Sequence, residues 1–372
     1  MGLRAKGNEQ NRTEASLRNT PLISVVIPTC NEPDIRHCLE AALSQTYPRK
    51  EIIVVDDSTD DTPNVVFEYA DRGVRMVRRE RNENGCCGAR NRGVLEASGD
   101  IVVILNGDVT PEPDFLDRIL GHYGHGADYV LTYPVVSNQA TAFGRYWDTE
   151  YRVLDGNMAK EWTEAFSARR EVWLAVGGIP GDFPLPFCRD WRIGVLLNTH
   201  GYEKVIDETL VVPHIAPARL GEFWRIRRAR GRFAALDNYY FQEMSAVRLL
   251  VWNVGKAAWR LLRVFALVPL LLEGRRLASF STHGNADIVP LALLRAIDWF
   301  SQSIGEMDSW MAICRLPVEQ RTRNVDGVSN PEMKKCYRLA LRAGGGTHQS
   351  DLVNLAIRHE GNVREKARKQ EE

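Results

Sequence analysis

Short apolar segments that alternate with polar, helix-length segments constrain this chain most. Between residues 21 and about 135, the apolar runs are Ile23–Ile27, Glu51–Val55, Val74–Val77, Ile101–Leu105 and Tyr129–Tyr133. These runs are continuous, which is typical of strands covered on both faces. The intervals suit helices of two to three turns, so the pattern predicts repeated β-α-β units in a parallel, doubly wound α/β sheet.

In such a sheet, ligands bind beyond the carboxyl ends of the strands. Acidic or polar residues follow three of the predicted strands, at Pro28–Glu32, Asp56–Asp61 and Asn106–Asp108. Crowded carboxylates are costly unless they bind a cation or accept hydrogen bonds from a ligand. One such cluster alone is more often a solvated turn. Three on successive strands predict a site for a ribose, a base and a divalent ion beside a diphosphate.

Four ordered motifs, over roughly Pro21–Leu120, resemble the nucleotide-binding half of family-two glycosyltransferases. They are SVVIPTCNE (Ser24–Glu32), VVDDSTDDT (Val54–Thr62), GARNRG (Gly88–Gly93) and LNGDVTPEPDFL (Leu105–Leu116). A looser resemblance continues through SARREVWLAVGGIP (Ser167–Pro180) and RDWRIGVLLNTHGY (Arg189–Tyr202). The resemblance implies a GT-A fold, a Rossmann-like nucleotide-binding sheet with helices on both faces, and a sugar-nucleotide donor.

Carried over position by position, the resemblance assigns donor-binding roles. Thr29 and Glu32 are expected to contact the nucleotide, and Asp56 to hydrogen-bond its base. Arg90 is expected to contact phosphate, although many relatives carry their basic residue at the position that Cys86 occupies here.

The resemblance also implies a divalent metal, Mg²⁺ or Mn²⁺. Asn106-Gly107-Asp108 stands at the DxD motif, whose last member usually ligates the metal, so Asp108 is the expected ligand. Asn106 replaces an aspartate, which removes a charge and is expected to weaken metal binding. Related enzymes often supply a further ligand at the position of His214, which follows the predicted strand Val205–Val212. The alternative is that His214 is structural.

Asp190 falls where the family carries the aspartate of its ED motif, the general base on the acceptor hydroxyl. Such a base must be a free carboxylate within hydrogen-bond reach of the attacking oxygen. The preceding residue is Arg189 instead of the usual Glu, which leaves the carboxylate in place and is expected to alter acceptor contacts. The alternative is that Asp190 only caps a helix over Trp191–Asn198.

Six arginines fall between Arg219 and Arg232. Because guanidinium groups match phosphate oxygens, Arg228 and Arg230 are predicted to bind the donor's diphosphate. The alternative is a solvated basic helix face. The QxxRW motif of processive polysaccharide synthases is missing, so transfer of a single sugar is expected.

The segment Val247–Leu272 is mostly apolar but contains Lys256, Arg260 and Arg263 at helical spacings. Its longest uninterrupted apolar run is shorter than the ~18 residues expected of a membrane-spanning helix. Two interpretations remain open: packing against the catalytic domain, or an amphipathic helix on an anionic bilayer with its cations facing the headgroups. Ala286–Leu294 is a second candidate apolar helix in the same layer.

The chain is predicted to have four regions: a flexible tail (1–20), a GT-A domain (21–240, with its donor half at 21–135 and its acceptor half at 136–240), an apolar or amphipathic helical region (241–305), and a polar helical region with a tail (306–372). Lys+Arg and Asp+Glu both number 48, so net charge gives no indication of a nucleic-acid partner. Seven cysteines without a CxxC pair, and a polar first twenty residues, predict reduced thiols and a cytoplasmic protein, either free or peripheral on the inner face of the membrane.

Together these features predict inverting transfer of one sugar from a nucleoside-diphosphate sugar, preferably UDP-linked, to a hydroxyl of a glycan or lipid-linked acceptor. Two alternatives stay open. One is transfer to a polyprenyl phosphate, whose ionised oxygen needs no base, and the other is a non-catalytic relative that only binds nucleotide. A Rossmann oxidoreductase is discarded because the glycine-rich run Gly85–Gly93 lacks the GxGxxG spacing.

Overall fold

The computed structural model describes residues 20–32, 35–79, 85–154, 164–179, 185, 190, 192–240 and 242–321. The predicted tail up to residue 19, and the predicted C-terminal region beyond residue 321, lie outside these residues. Internal contacts divide the chain into two units. Unit 1 comprises Met1–Pro134, Trp162–Ile179 and Tyr202–Val212, and unit 2 comprises Val135–Glu161, Pro180–Gly201 and Pro213–Glu372.

Seven strands form one sheet, and most of it belongs to unit 1. They are β1 (Ile23–Thr29), β2 (Lys50–Asp56), β3 (Val74–Arg78), β4 (Ile101–Leu105), β5 (Tyr129–Val136), β6 (Ala165–Arg169) and β7 (Lys204–His214). Their order in the sheet is β3-β2-β1-β4-β6-β5-β7. The first four of that order are parallel, which confirms the predicted sheet there, whereas β6 runs antiparallel to both β4 and β5. The sheet as a whole is therefore mixed.

The helices follow the strands in chain order. They are α1 (Arg36–Leu43), α2 (Thr62–Phe67), α3 (Gly85–Glu96), α4 (Phe115–Gly124), α5 (Ala142–Thr149), α6 (Arg170–Ala175), α7 (Arg192–Thr199), α8 (Leu220–Tyr240), α9 (Ala246–Phe265), α10 (Val268–Ala278) and α11 (Ile288–Arg315). Short 3-10 helices occupy Ala70–Arg72, Gly284–Asp287 and Val318–Arg321, and a π-helical turn, Glu150–Leu154, follows α5.

The parallel strands of unit 1 are buried on both faces. Every residue of β4 is 2% exposed or less, which explains why the strand reads as an uninterrupted apolar run. Helix α3 lies so close to the sheet that a Cβ atom at Gly93 would overlap the side chain of Val26. The central strands therefore leave only their ends for ligands.

Unit 2 is mainly helical, and its two longest helices cross at close range. A Cβ atom at Gly231 of α8 would overlap the backbone of Gln302, and one at Gly305 of α11 would overlap the backbone of Arg228. Helix α11 continues without a break past residue 305, where the sequence analysis placed a regional boundary. The predicted segment Val247–Leu272 is divided into α9 and α10 at Leu267, which has a φ of 55°.

The structure also shows whether a described helix could span a membrane, and the state of several cysteines. Among the helices that the structure describes, none combines the length and apolar character needed to cross a membrane. Cys30, Cys38, Cys87 and Cys314 are not disulfide-bonded, but Cys86 is, so the expectation of reduced thiols is wrong at that position. Cysteine spacing along a chain does not tell which thiols the fold brings together.

Candidate functional site

The carboxyl ends of β1 and β2 bring Thr29 and Asp56 side by side. The two residues are register partners in the parallel ladder, and they are 4% and 0% exposed. The Thr29 hydroxyl is buried without a hydrogen-bond partner among the described residues. Buried polar groups normally have a partner, so this hydroxyl suits a ligand atom at the sheet edge.

The loops that follow these two strands are cross-linked by hydrogen bonds. The backbone N–H of Asn31 donates to Ser58 Oγ at 2.7 Å, and the backbone N–H of Thr59 donates to Asn31 Oδ1 at 2.8 Å. The next backbone N–H, of Glu32, donates to Thr62 Oγ1 at 3.0 Å. Asn31 has a φ of 58°, a conformation that asparagine adopts more readily than most residues. The predicted nucleotide-binding loop is therefore held in one conformation.

Asp56 is neutralised by an arginine that the sequence analysis did not single out. Arg78 ends β3, is the register partner of Asp56, and forms an ion pair with Asp56 Oδ2. The other carboxylate oxygen of Asp56 accepts from the backbone N–H of Ser58 at 3.1 Å. The next residue, Arg79, lies 3.6 Å from the Asp57 carboxylate. The available signal was the position of Arg78-Arg79 at the end of the neighbouring parallel strand.

Arg90 holds the Asn106 turn in place. Its side chain is 4% exposed, and it donates to Asn106 Oδ1 at 2.7 Å and to the carbonyl of Cys86 at 3.2 Å. The guanidinium predicted to contact phosphate is therefore engaged with the first residue of the Asn106-Gly107-Asp108 motif. In this structure Arg90 positions the motif.

Glu32 and Asp108 place two negative charges near one buried thiol. Burial raises the pKa of the Cys38 thiol, and the charges of Asp108 and Glu32 raise it further. That thiol donates to the carbonyl of Asn106 at 3.4 Å. A Cβ atom on Gly107 would lie 3.5 Å from Glu32 Cγ. The predicted nucleotide contact on the β1 loop and the predicted metal ligand after β4 therefore share one edge of unit 1.

The donor set at this edge fits a divalent ion only in one way. Within the described residues, there is no group of three or more His, Cys, Asp or Glu that could hold a metal ion. Magnesium in nucleotide sites is bound by one or two carboxylates plus substrate phosphates and waters. Asp108, which is half-buried, fits that mode with a diphosphate supplying further ligands. Asn106 adds no charge, and its side-chain oxygen already accepts from Arg90.

Asp190 belongs to unit 2 and lies in the turn that leads into α7. It is half-buried, and its carbonyl accepts from the backbone N–H of Ile193 at 3.1 Å. Ile193 and Leu197 are fully buried and anchor the helix. The neighbouring Arg189 lies outside the described residues. The role of Asp190 as base stays a prediction.

His214 ends β7 and is 7% exposed. Its ring meets the ring of Tyr151 edge-on, with centroids 6.2 Å apart, and its carbonyl accepts from the backbone N–H of Ser137 at 3.0 Å. These contacts describe a packed histidine within unit 2, and its role as a metal ligand stays a prediction.

The two arginines predicted to bind diphosphate are engaged within unit 2. Arg228 forms a bidentate pair with Asp308, at 2.6 Å from Nε and 3.0 Å from Nη2. Arg230 donates to Glu150 at 2.9 Å and lies over the Trp147 ring at 4.7 Å. The structure thus gives Arg228 a carboxylate partner, and the donor-binding roles of Arg228 and Arg230 stay predictions. Asp308 lies 80 residues away, so no local pattern could reveal the pair.

A buried charge network in unit 2 also went unnoticed in the sequence. Arg227 is fully buried, donates to both carboxylate oxygens of Glu150 at 2.5 Å, and lies over Trp147 at 4.1 Å. Burial alone would raise the pKa of Glu150, but Arg227 and Arg230 outweigh it and lower this pKa to about 2. The basic stripe of α8 is therefore partly a structural network.

Three of the four cations of α9 also turn toward carboxylates. Lys256 and Arg260 pair with Glu306 at 2.6 and 3.0 Å, and Arg263 pairs with Glu273 at 3.4 Å. The expectation that these three cations face lipid headgroups is therefore wrong. The reason is that α10 and α11 supply buried glutamates that the helical spacing of α9 cannot show.

Comparison with known proteins now adds to this geometry. A family model described as "Glycosyl transferase family 2" matches residues 24–173. Glycosyltransferase AglE of Haloferax volcanii is 36% identical over 268 residues, which cover 68% of this chain and 81% of that protein.

Two solved structures are also similar. The mannosyltransferase PcManGT from Pyrobaculum calidifontis, in complex with GDP-Man and Mn²⁺, matches with a TM-score of 0.47 and 19% identity, over 90% of this chain and 92% of that one. Residues 1–349 of TarS from S. aureus, in complex with UDP-GlcNAc, match with a TM-score of 0.46 and 15% identity, over 78% and 92%.

Proposed function

The chain belongs to glycosyl transferase family 2, and we propose that it transfers one sugar from a uridine-diphosphate sugar to an acceptor hydroxyl, with inversion at the anomeric carbon. As a member of that family, it is a glycosyltransferase with a GT-A fold. The observation that carries the finer proposal is the convergence of Thr29, Asp56 and Asp108 at the carboxyl ends of the parallel strands β1, β2 and β4. That edge is where nucleotides bind in sheets of this kind.

The pairing of Asp56 with Arg78 supports uracil as the base. Uracil presents one N–H donor beside a carbonyl acceptor, whereas guanine presents two adjacent donors. A carboxylate offers about four lone-pair sites and only accepts, whereas a guanidinium only donates. Here one oxygen of Asp56 accepts from the Ser58 backbone and the other is paired with Arg78. An acceptor next to a donor matches the uracil edge.

Asp108 is the carboxylate proposed to hold a divalent ion at the diphosphate end of the donor. A divalent ion held by Asp108 and the diphosphate would stabilise the negative charge that develops on the leaving group. Asn106, held by Arg90, fixes the backbone from which Asp108 projects. Glu32 is the acceptor proposed for donor hydroxyl groups.

In the proposed mechanism, Asp190 takes the proton of the acceptor hydroxyl while that oxygen attacks the anomeric carbon. The bond from the anomeric carbon to the diphosphate breaks, and the nucleoside diphosphate leaves with the bonding electron pair. A single displacement of this kind inverts the anomeric configuration. Its motif position and the half-buried carboxylate at the start of α7 support Asp190 in this role.

For the acceptor we propose a lipid-linked glycan, and for the enzyme a peripheral position on the cytoplasmic face of a membrane. The support is the exposed apolar surface of α9 and α10. The disulfide at Cys86 removes the cysteine count as support for the cytoplasmic side. A polyprenyl phosphate is the alternative acceptor, and transfer activity that survives Asp190→Asn would favour it.

The donor proposal is tested by titration calorimetry of UDP and GDP with and without Mn²⁺ or Mg²⁺. UDP is expected to bind more tightly than GDP, and the divalent ion to increase its affinity. Asp108→Ala is expected to abolish the effect of the ion, whereas Asp114→Ala, an exposed carboxylate in the same loop, is the matched control. Binding that is indifferent to the ion and to Asp108→Ala would exclude the metal assignment. If the wild-type protein binds UDP but transfers no sugar in an activity assay, it is the non-catalytic relative.

A further inference from the structure

The outer surface of helices α9 and α10 is apolar along its length. The structure describes Leu249–Gly274 without a gap, and every exposed residue in that segment is apolar, alanine or glycine. The large side chains include Trp252, Val254, Trp259, Leu262, Phe265 and Leu272, which are 52–79% exposed. Large contiguous apolar patches of this kind mark interaction surfaces on proteins.

The charged side chains of the same segment lie on the opposite, inner side. Glu306, whose side chain is 1% exposed, pairs with Lys256 and Arg260. Glu273, whose side chain is 9% exposed, pairs with Arg263 and Arg295 at 3.4 Å each. All four charged residues between Leu249 and Gly274 are therefore paired inside the helical layer.

This orientation is the reverse of that of an amphipathic helix packed on a core in water. It places charges where they lose their hydration, and it leaves apolar surface in contact with solvent. With the opposite face of the helix turned inward, the charges would be hydrated and the apolar side chains would be buried. Ionisable residues in lipid-exposed helices face the protein interior and pair there. The orientation therefore fits a helix whose surroundings are hydrocarbon.

Cations flank the apolar surface at both ends. Arg248 is exposed just before it, and Arg275 and Arg276 are exposed just after it. Such residues are attracted to anionic headgroups. A two-fold interface between copies of this chain would bring the same patch together, and both of its ends are cationic. Charge complementarity thus favours a lipid surface over a second copy.

A groove between α8, α9 and α11 adjoins this surface. It has a volume of about 320 Å³ and is lined mainly by apolar side chains, among them Trp224, Leu261 and Phe300. The rings of Trp224 and Phe300 lie 5.8 Å apart, and Phe300 and Leu261 are themselves exposed. The groove is thus a place for a hydrocarbon chain beside the helices.

We propose that the outer face of α9 and α10 inserts into the hydrocarbon of one leaflet of a bilayer, with Arg248, Arg275 and Arg276 among the headgroups. The proposal rests on the peripheral location proposed above, and is independent of the donor and of Asp190. Because Lys256, Arg260 and Arg263 face inward, attachment depends mainly on apolar contact. It is expected on uncharged lipid and at high salt, where attachment through outward cations would be lost.

The test is flotation of the full-length protein with phosphatidylcholine vesicles at low and high salt, with and without added anionic lipid. The protein is expected to float in each case. Trp259→Glu combined with Phe265→Glu, both at exposed positions, is expected to lower vesicle affinity at least tenfold. Phe67→Glu, on an exposed apolar residue of unit 1 that is 70% exposed, is the matched control and is expected to float like the wild type.

Three outcomes would overturn the proposal. If the wild-type protein is monomeric and does not float, the outer face of α9 and α10 does not bind a bilayer. A dimer that the double variant dissociates, without vesicle binding, assigns the patch to a second copy. Flotation only with anionic vesicles and only at low salt would show that the protein attaches through surface charge instead of apolar contact. UDP calorimetry on the same samples reports on the donor site separately, so a failed membrane proposal with intact UDP binding removes the peripheral location and leaves the proposed donor and transfer reaction standing.

Discussion

Buried carboxylates occur at the sheet edge of unit 1 and in the helical layer of unit 2, but their surroundings differ. At the sheet edge, Asp56 is paired with Arg78, whose side chain is 48% exposed. In the helical layer, Glu150 and Glu306 are each paired with two cations, at least one of them mostly buried. A carboxylate enclosed by two cations is fully compensated, whereas one beside a half-exposed arginine can still exchange partners with a ligand.

Burial of a carboxylate therefore does not by itself mark a binding site. The arginine-rich sequence of α8 resembles a phosphate-binding stripe, but Arg227 and Arg228 are taken up by Glu150 and Asp308. The aspartates after β2 resemble an ordinary turn, but they sit on a sheet edge with a buried, unpartnered hydroxyl at Thr29 within the described residues. The number of cations around each carboxylate is the feature that separates the two regions.

The largest effect is expected at Asp190, a half-buried carboxylate of unit 2 that is proposed to act in chemistry. Asp190→Asn keeps the size and most of the capping ability of the side chain, so folding and UDP binding should persist. Turnover with a hydroxyl acceptor should fall by roughly two to four orders of magnitude, the range for a positioned base. Steady-state kinetics measure this, with Glu208→Gln, an exposed residue, as the control. Near-normal turnover would exclude Asp190 as the base.

The second largest effect is expected at Glu150, as loss of stability rather than of chemistry. Glu150→Gln leaves the fully buried Arg227 with only the more distant carboxylate of Asp298, at 3.8 Å, which is expected to lower the free energy of unfolding by about 3–5 kcal/mol. Because the folded-state pKa of Glu150 is lowered to about 2 from 4.5, the wild type should have this contribution above pH 4.5 and lose it as pH falls toward 2. Chemical denaturation across that range should show a flatter pH dependence for the variant. If the free energy of unfolding depends on pH equally in the wild type and the variant, Glu150 does not contribute to the charge network.

A smaller effect is expected at the sheet edge. Asp56→Asn leaves the turn sterically unchanged but removes the charge that pairs with Arg78. The loss of a hydrogen bond from a base to a charged group costs about 1.5–3 kcal/mol, so UDP affinity should fall by roughly 10- to 150-fold. Asp71→Asn, at an exposed position of the same unit, is the control in calorimetry. If UDP binding is unchanged and the free energy of unfolding falls instead, Asp56 stabilises the fold, as Glu150 does, and does not bind the base.

The smallest effect is expected at Asp308, the less buried counterpart of Glu150 in unit 2. Its partners Arg228 and Arg232 have side chains that are 38% and 49% exposed. Asp308→Asn is therefore expected to change the free energy of unfolding by only about 0–1 kcal/mol, as for surface ion pairs. Denaturation beside Glu150→Gln gives the direct comparison. A loss as large as that of Glu150→Gln would show that exposure does not separate the two pairs.

The sequence predicted the parallel part of the sheet well because each strand is a continuous apolar run. All five strands predicted before residue 135 are present, with ends shifted by no more than three residues. Strand β6 was not predicted, because Ala165–Arg169 is short and has only one large apolar side chain, Phe166. It is buried by insertion between β4 and β5, which no local pattern records.

What the sequence by itself determined is local: the apolar periodicity of the strands and the residue types at their ends. These sufficed to bring Thr29, Asp56 and Asp108 to one edge, because parallel strands end on the same side of a sheet. Only the tertiary structure decided which charges meet across long separations, as in Arg78 with Asp56 and Arg260 with Glu306. The physical reason is that a helix's spacing reveals which side chains share a face, while the direction of that face depends on what packs against it.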